Sequence, residues 1–343
     1  MTVWTDHLAH LGATLADNAL SFAAPTDEAR AATDNTIVVP LLHLGTIRSV
    51  GPDSAEFLHN LVSNDVKKLP ADGAAWNSFN SPKGRMIASF LMWSEAEGHA
   101  MVVSADILPA FLKKFSMYVL RSKVKLSDAS ADIALIGVSG TNAAAALGAV
   151  GLAVPTEAMK QTGGGDAPRC IRLNDSSFVV AVDTAAAPAL FDALQAGGAS
   201  RAGTAAWHLA MIRAGLPLIT TPTQEEFVAQ MLNYELIGGV SFHKGCYPGQ
   251  EIVARTQYLG KLKKRMYRVA IPAGSAAQPG ADLYAPDFGE QSAGKLVNVA
   301  PAADGGFEAL AVLQTSSAEA GEIHLGSVDG PRLALLDLPY ALG

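Results

Sequence analysis

The sequence predicts an α+β protein that closes with a small antiparallel β-barrel. Strand-like and helix-like segments alternate along most of the chain, the arrangement of helices covering sheets. From Met266 onward the pattern changes to short apolar runs separated by glycine and proline. With 343 residues, 49% hydrophobic and 17% charged, the chain can bury more than one core and is too long for one ordinary domain. Two or three domains are therefore expected.

The elements follow in order. Val3, Trp4, Leu8, Leu11 and Leu15 mark one side of an amphipathic helix, and the polar, alanine-rich stretch Ala23 to Asn35 reads as a linker or loop. Ile37 to Leu42 is a buried strand. Asp53-Ser54-Ala55-Glu56 resembles a capping arrangement ahead of Phe57, Leu58 and Leu61, which sets a helix from about Ser54 to Val62. Trp76 to Phe79, Met86 to Trp93 and Met101 to Val103 read as strands, with a turn at Ser81 to Arg85 joining the first two. Leu108 to Leu120 has helical spacing. Ile133 to Val138 and Ser177 to Val182 are strand-like, Thr141 to Leu147 and Ala186 to Leu194 helix-like, and Gly163 to Gly165 a surface loop. Thr204 starts a helix that Gly215 and Pro217 stop. Met266 to Ile271, Leu296 to Val299, Ala309 to Leu313 and Arg332 to Leu336 supply the barrel, with a boundary near Gly260 to Arg265.

Composition excludes several function classes. No apolar run approaches the roughly 18 to 20 residues needed to cross a bilayer, and the first residues lack a secretory pattern, so a cytoplasmic protein is expected. A net charge of −7 argues against a surface wholly devoted to nucleic acid. Locally, Arg255, Lys261, Lys263, Lys264, Arg265 and Arg268 form a basic cluster that suits either a solvated helix end and strand edge or a site for an anion, a polyglutamate tail or an RNA phosphate. Two cysteines, Cys170 and Cys246, are too few for a disulfide framework or for a four-iron cluster, and no metal site can be drawn.

The most informative segment is Lys244-Gly245-Cys246-Tyr247-Pro248-Gly249-Gln250-Glu251. Pro248 suits a first helical position, Gln250 and Glu251 a first turn, Ile252, Val253 and Leu259 an apolar side, and Gly260 a helix end. Cys246 would then lie near unpaired N–H groups, with Lys244 beside it, a setting that favours the thiolate.

This octapeptide resembles the signature of the YgfZ proteins, whose mitochondrial relatives are iron–sulfur assembly factors of the Iba57 type. Ala229-Gln230-Met231-Leu232-Asn233, Gly238 to Phe242, Ile252 to Arg255, Ser81 to Arg85, Ser122-Lys123-Val124 and Leu338-Pro339-Tyr340 extend the resemblance, in order, over most of the chain from about residue 37. It implies a discontinuous aminomethyltransferase-like folate-binding region over residues 37–262, an N-terminal helix and linker over 1–36, and a C-terminal barrel over 263–343. It also implies a reduced folate such as tetrahydrofolate as cofactor, and iron–sulfur enzymes or their assembly proteins as partners, among them a radical enzyme that modifies tRNA. Cys246 is the expected reactive thiol, with Lys244 and Tyr247 around it. Trp207, Lys123, Arg121, Gln230 and Arg213 are the expected folate contacts. Two positions depart from the pattern: Leu44 replaces an aromatic, and Arg213 replaces a Glu whose carboxylate can accept from a pterin edge where guanidinium can only donate. The segment Val103 to Leu108, with Asp106, lacks the Asn-then-Asp pattern of the aminomethyltransferases, so no enzymatic activity of that kind is expected. A tetrahydrofolate-dependent aminomethyl or methyl transferase, and an RNA-interacting module, are the alternatives.

Overall fold

The computed structural model describes residues 2–258 and 262–342. The chain divides into two compact units, each assembled from separated stretches: Met1–Leu58, Val66–Ala75 and Phe90–Ala210 form the first, and His59–Asp65, Trp76–Ser89 and Met211–Gly343 the second.

The first unit is built on a six-stranded sheet in the order Gln161–Gly164, Ala167–Arg172, Ser177–Asp183, Ile133–Ser139, Ile37–Pro40, Ser200–Arg201. Its neighbours run antiparallel except the last pair, which is parallel. Val38, Ile136, Val138, Phe178 and Val180 meet Trp4, Leu8, Phe191 and Leu194 in one core, with Trp4 edge-on to Phe191 at 5.4 Å. The N-terminal helix is therefore anchored by its apolar face. It ends at His10, earlier than the apolar spacing suggests, and Leu15 stands 54% exposed on a short strand. Asp17 and Asn18, at φ of 47° and 67°, make a two-residue turn between Thr14–Ala16 and Ala19–Ser21.

The expected loop at Ala23 to Asn35 is instead a helix, Pro25–Asp34. Proline opens it, Asp27 and Glu28 complement its first turn, and alanines propagate it. Glu28 is 3% exposed and accepts the N–H groups of Phe22 (2.7 Å) and Ala23 (3.3 Å), while burial raises its carboxyl above the usual range. A second antiparallel arrangement in this unit pairs Leu44–Val50 with Gly98–Ser104 and with Lys125–Asp128. The Asp53 carboxylate accepts the N–H of Lys123 at 2.6 Å.

The second unit contains the closed antiparallel barrel. Its six strands follow the order Lys264–Ile271, Phe307–Gln314, Gly294–Pro301, Asp282–Tyr284, Ile323–Leu325, Arg332–Leu336. Val269, Ile271, Leu283, Leu296, Ala309, Ala311, Leu313 and Ile323 fill it. The hairpin of residues 76–89 turns where Ser81 donates to the Arg85 carbonyl at 2.8 Å and Gly84 takes φ of 72°. Leu259, Gly260 and Lys261, expected to close a helix, mark a boundary and add to the basic cluster, lie outside the described residues. Among the described residues no helix is long and apolar enough to cross a membrane.

Candidate functional site

The octapeptide lies in the second unit. Its helix begins at Gln250, not at Pro248: Tyr247, Pro248 and Gly249 form a turn in which the Gln250 N–H reaches the Tyr247 carbonyl at 3.1 Å, and Gly249 takes φ of 77°. Cys246 thus sits a full turn ahead of the helix, outside the run of unpaired N–H groups. Gly249 is required for close approach as well, because a Cβ there would stand 2.6 Å from the Ser81 carbonyl oxygen and from Gly84 Cα. The motif loop and the hairpin turn at Ser81 to Arg85 are thereby in backbone contact.

Lys244 faces inward. It is 8% exposed, and its ammonium donates to the carbonyls of His59, Val62 (2.5 Å) and Asn64 (3.1 Å), which uses all three of its N–H groups. The ring of Tyr247 lies beneath it, with its centroid 4.8 Å from Nζ. Burial lowers the Lys244 amine to about 8, against the opposing pull of the Asp65 carboxylate, which itself pairs with His59 at 3.2 Å. Burial pushes the Tyr247 phenol up to about 12. Between these two anchored side chains Cys246 is exposed. Cys170, by contrast, is 1% exposed on Ala167–Arg172, where burial pushes its thiol up to about 12.

The segment after the hairpin braces this arrangement. Gln230 is buried and donates Nε2 to the Val253 carbonyl of the motif helix at 2.6 Å, while its Oε1 has no partner among the described residues. Asn233, at φ of 56°, donates to the Met266 carbonyl of the first barrel strand at 2.8 Å. Arg213 is held by Glu308, with NH2 to Oε1 at 2.7 Å and Nε to Oε1 at 3.1 Å. The basic cluster is broken up: Arg265 pairs with Glu235 and Arg268 approaches Glu308 at 4.0 Å, leaving Arg255 and Lys263 exposed.

The remaining expected contacts belong to the first unit. Trp207 is 3% exposed and covers Gly137, where a Cβ would meet its ring at 2.5 Å. Arg121 and Lys123 are exposed, in the segment after the helix Leu108–Ser116. Beside Trp207 stands a pair that the sequence reading passed over. His43 and His208 meet edge to face at 4.6 Å, and neither ring nitrogen of His43 has a partner among the described residues. The acceptors around Lys244 were also missed, because they are backbone carbonyls and any residue supplies those.

Comparisons with known proteins show the family and the fold. Residues 12–237, more than half of the chain, match the GCVT N-terminal domain. The tRNA-modifying protein YgfZ of Yersinia enterocolitica is 30% identical over 295 residues, which cover 85% of this chain and 88% of that protein. The chain belongs to the YgfZ family. The YgfZ protein of Serratia proteamaculans, also described as tRNA-modifying, is 29% identical over the same shares of the two chains. Among solved structures, the glycine cleavage system aminomethyltransferase T from Bartonella henselae superposes with a TM-score of 0.74 at 16% identity, covering 92% of this chain and 89% of that one. The YgfZ-family chain therefore has the aminomethyltransferase-like fold expected of it, including the closed barrel.

Proposed function

We propose that this YgfZ-family chain is a folate-dependent accessory protein that maintains iron–sulfur enzymes, radical tRNA-modifying enzymes among them, with Cys246 as its reactive group. The observation that carries this reading is an exposed thiol held between two side chains, Lys244 and Tyr247, that are themselves committed to packing. Such a loop presents one sulfur to a partner at fixed position. A single thiol falls short of the ligand set of a four-iron cluster, so its use is transient: the thiolate is a soft ligand and a nucleophile, and Cys246 is accessible for either. The description of the Yersinia and Serratia relatives as tRNA-modifying supports a client in tRNA modification.

The folate implied by the family brings a flat pterin, an aminobenzoyl ring and glutamate carboxylates. Arg121 and Lys123, in the first unit, have exposed cations suited to the carboxylates. Trp207 is packed on Gly137 and Arg213 is paired with Glu308, so as folate contacts both would need to leave those neighbours. On the strand Ala74–Asn80, Ser78 and Asn80 carry buried polar atoms without a partner among the described residues, and these support a pterin contact there.

The test is complementation of a strain lacking its own YgfZ protein, with thermal melts as a folding control. Cys246→Ser is expected to lose most of the support for iron–sulfur enzyme activity while melting within about 1 kcal/mol of the parent, as exposed substitutions do. Full rescue by a stably folded Cys246→Ser protein would make the thiol structural and end this reading.

A further inference from the structure

We infer that one face of the strand Ala74–Asn80 reads the lactam edge of a fused pyrimidine ring, with Trp76 as the stacking surface and Asn80 as the in-plane reader. This rests on the folate reading and names the part of the chain that would recognise the pterin. Successive side chains of a strand point to opposite faces, so Trp76, Ser78 and Asn80 share one side and Asn77 and Phe79 the other. The odd side is accounted for: the Asn77 Oδ1 accepts the Asn64 N–H at 3.1 Å, and the Phe79 side chain is apolar and fully buried.

The even side is not. Ser78 is 0% and Asn80 1% exposed, yet Ser78 Oγ, Asn80 Oδ1 and Asn80 Nδ2 have no hydrogen-bond partner among the described residues. Burying a whole side-chain amide without a partner is costly and rare in native structures. At the other end of the same face Trp76 is half-buried, whereas Trp4, Trp93 and Trp207 are each 3% exposed or less. A solvent-reaching indole in line with three unmet polar atoms is the composition of a ring-binding face.

The chemistry selects the ligand edge. An Asn amide offers a donor and an acceptor side by side in one plane, which matches a ring N–H next to a ring C=O through two parallel hydrogen bonds. The lactam of an oxopterin has that edge, and so does guanine. A carboxylate could only accept and a guanidinium only donate, and Arg213 is in any case neutralised by Glu308. Ser78 can donate to or accept from the neighbouring ring position, and the indole of Trp76 can cover the ring.

The experiment titrates the whole chain with 5-formyltetrahydrofolate, p-aminobenzoylglutamate and GMP, reading affinity by calorimetry and Trp76 accessibility by iodide quenching. Expected are binding of 5-formyltetrahydrofolate, loss of the iodide-accessible emission on saturation, and a weakening of about tenfold or more in Asn80→Leu, the worth of one to two hydrogen bonds. Asn80→Leu should melt no lower than the parent, since it removes an unpaired buried amide; should it fail to fold, Ser78→Ala and the quenching of the unaltered chain decide. Folate binding that leaves Trp76 open to iodide, that is unchanged in Asn80→Leu, or that p-aminobenzoylglutamate reproduces at equal affinity would overturn the inference and leave the folate reading standing. Asn80-dependent binding of GMP alone would keep the lactam-edge face and end the folate reading. Binding of none of the three would end both.

Discussion

His43 and His208 make the first unit sensitive to acid in a way that can be calculated. Burial lowers His208 from 6.5 to about 4, and burial together with the His208 charge lowers His43 well below its usual value. Above 6.5 both imidazoles are neutral in the folded and the unfolded chain. As pH falls through 6.5 the unfolded chain takes up protons that the folded chain refuses until about 4, so stability is lost across that window. For His208 the full fall corresponds to about 3 kcal/mol, of which about 2 kcal/mol is lost between about pH 7 and pH 5. His43 adds a loss of the same sign. The perturbation is His208→Phe, which keeps an aromatic edge against His43 and removes the titration. Urea melts of parent and variant at the two pH values isolate the effect, because His99, lowered by burial, and Glu28, raised by it, are common to both proteins. The variant should lose about 2 kcal/mol less than the parent on acidification. Equal losses would show that the pair is not held neutral by its surroundings.

Two further outcomes follow from the motif. Alkylation of the native protein should label Cys246 stoichiometrically and leave Cys170 unreacted until denaturant is added, since Cys170 is 1% exposed and its thiol is pushed up to about 12; mass spectrometry of the labelled peptides checks this, and faster labelling of Cys170 would refute it. Lys244→Met should destabilise the protein by about 2–4 kcal/mol, because relief from burying an ammonium is outweighed by stranding three carbonyl acceptors. A thermal melt within about 0.5 kcal/mol of the parent would show that the carbonyls find other donors.

What was legible in the sequence depended on whether local chemistry was enough. The main barrel strands announced themselves by apolar runs between glycines and prolines, but Asp282–Tyr284 and Ile323–Leu325, three residues each, are too short to show a period. The helix Pro25–Asp34 looked like a loop because its residues are mostly polar or alanine; it is fixed through Glu28, whose partners are backbone N–H groups that no pattern reveals. The contrast between Cys246 and Cys170 was legible, since one lies among glycines and the other in an Arg-Cys-Ile-Arg stretch that reads as a strand. The direction of Lys244 was not. Its acceptors lie some 180 residues earlier in the chain and are carbonyls common to every amino acid. Arg213 was visible as a departure from the family pattern, while its compensation by Glu308 emerged only when the fold brought position 308 beside it.

Within the octapeptide most side chains are likewise committed to neighbours that the fold supplies. Lys244 ties the segment to residues 59–64, Tyr247 lies under the ammonium, and Gly249 is needed for the backbone to pass the hairpin turn. Each of these residues has a structural reason to be what it is. Cys246 differs: its side chain is exposed and it lies ahead of the helix. When the neighbours of an exposed thiol are held by packing, replacing the thiol alone tests its proposed chemistry with little disturbance of the fold.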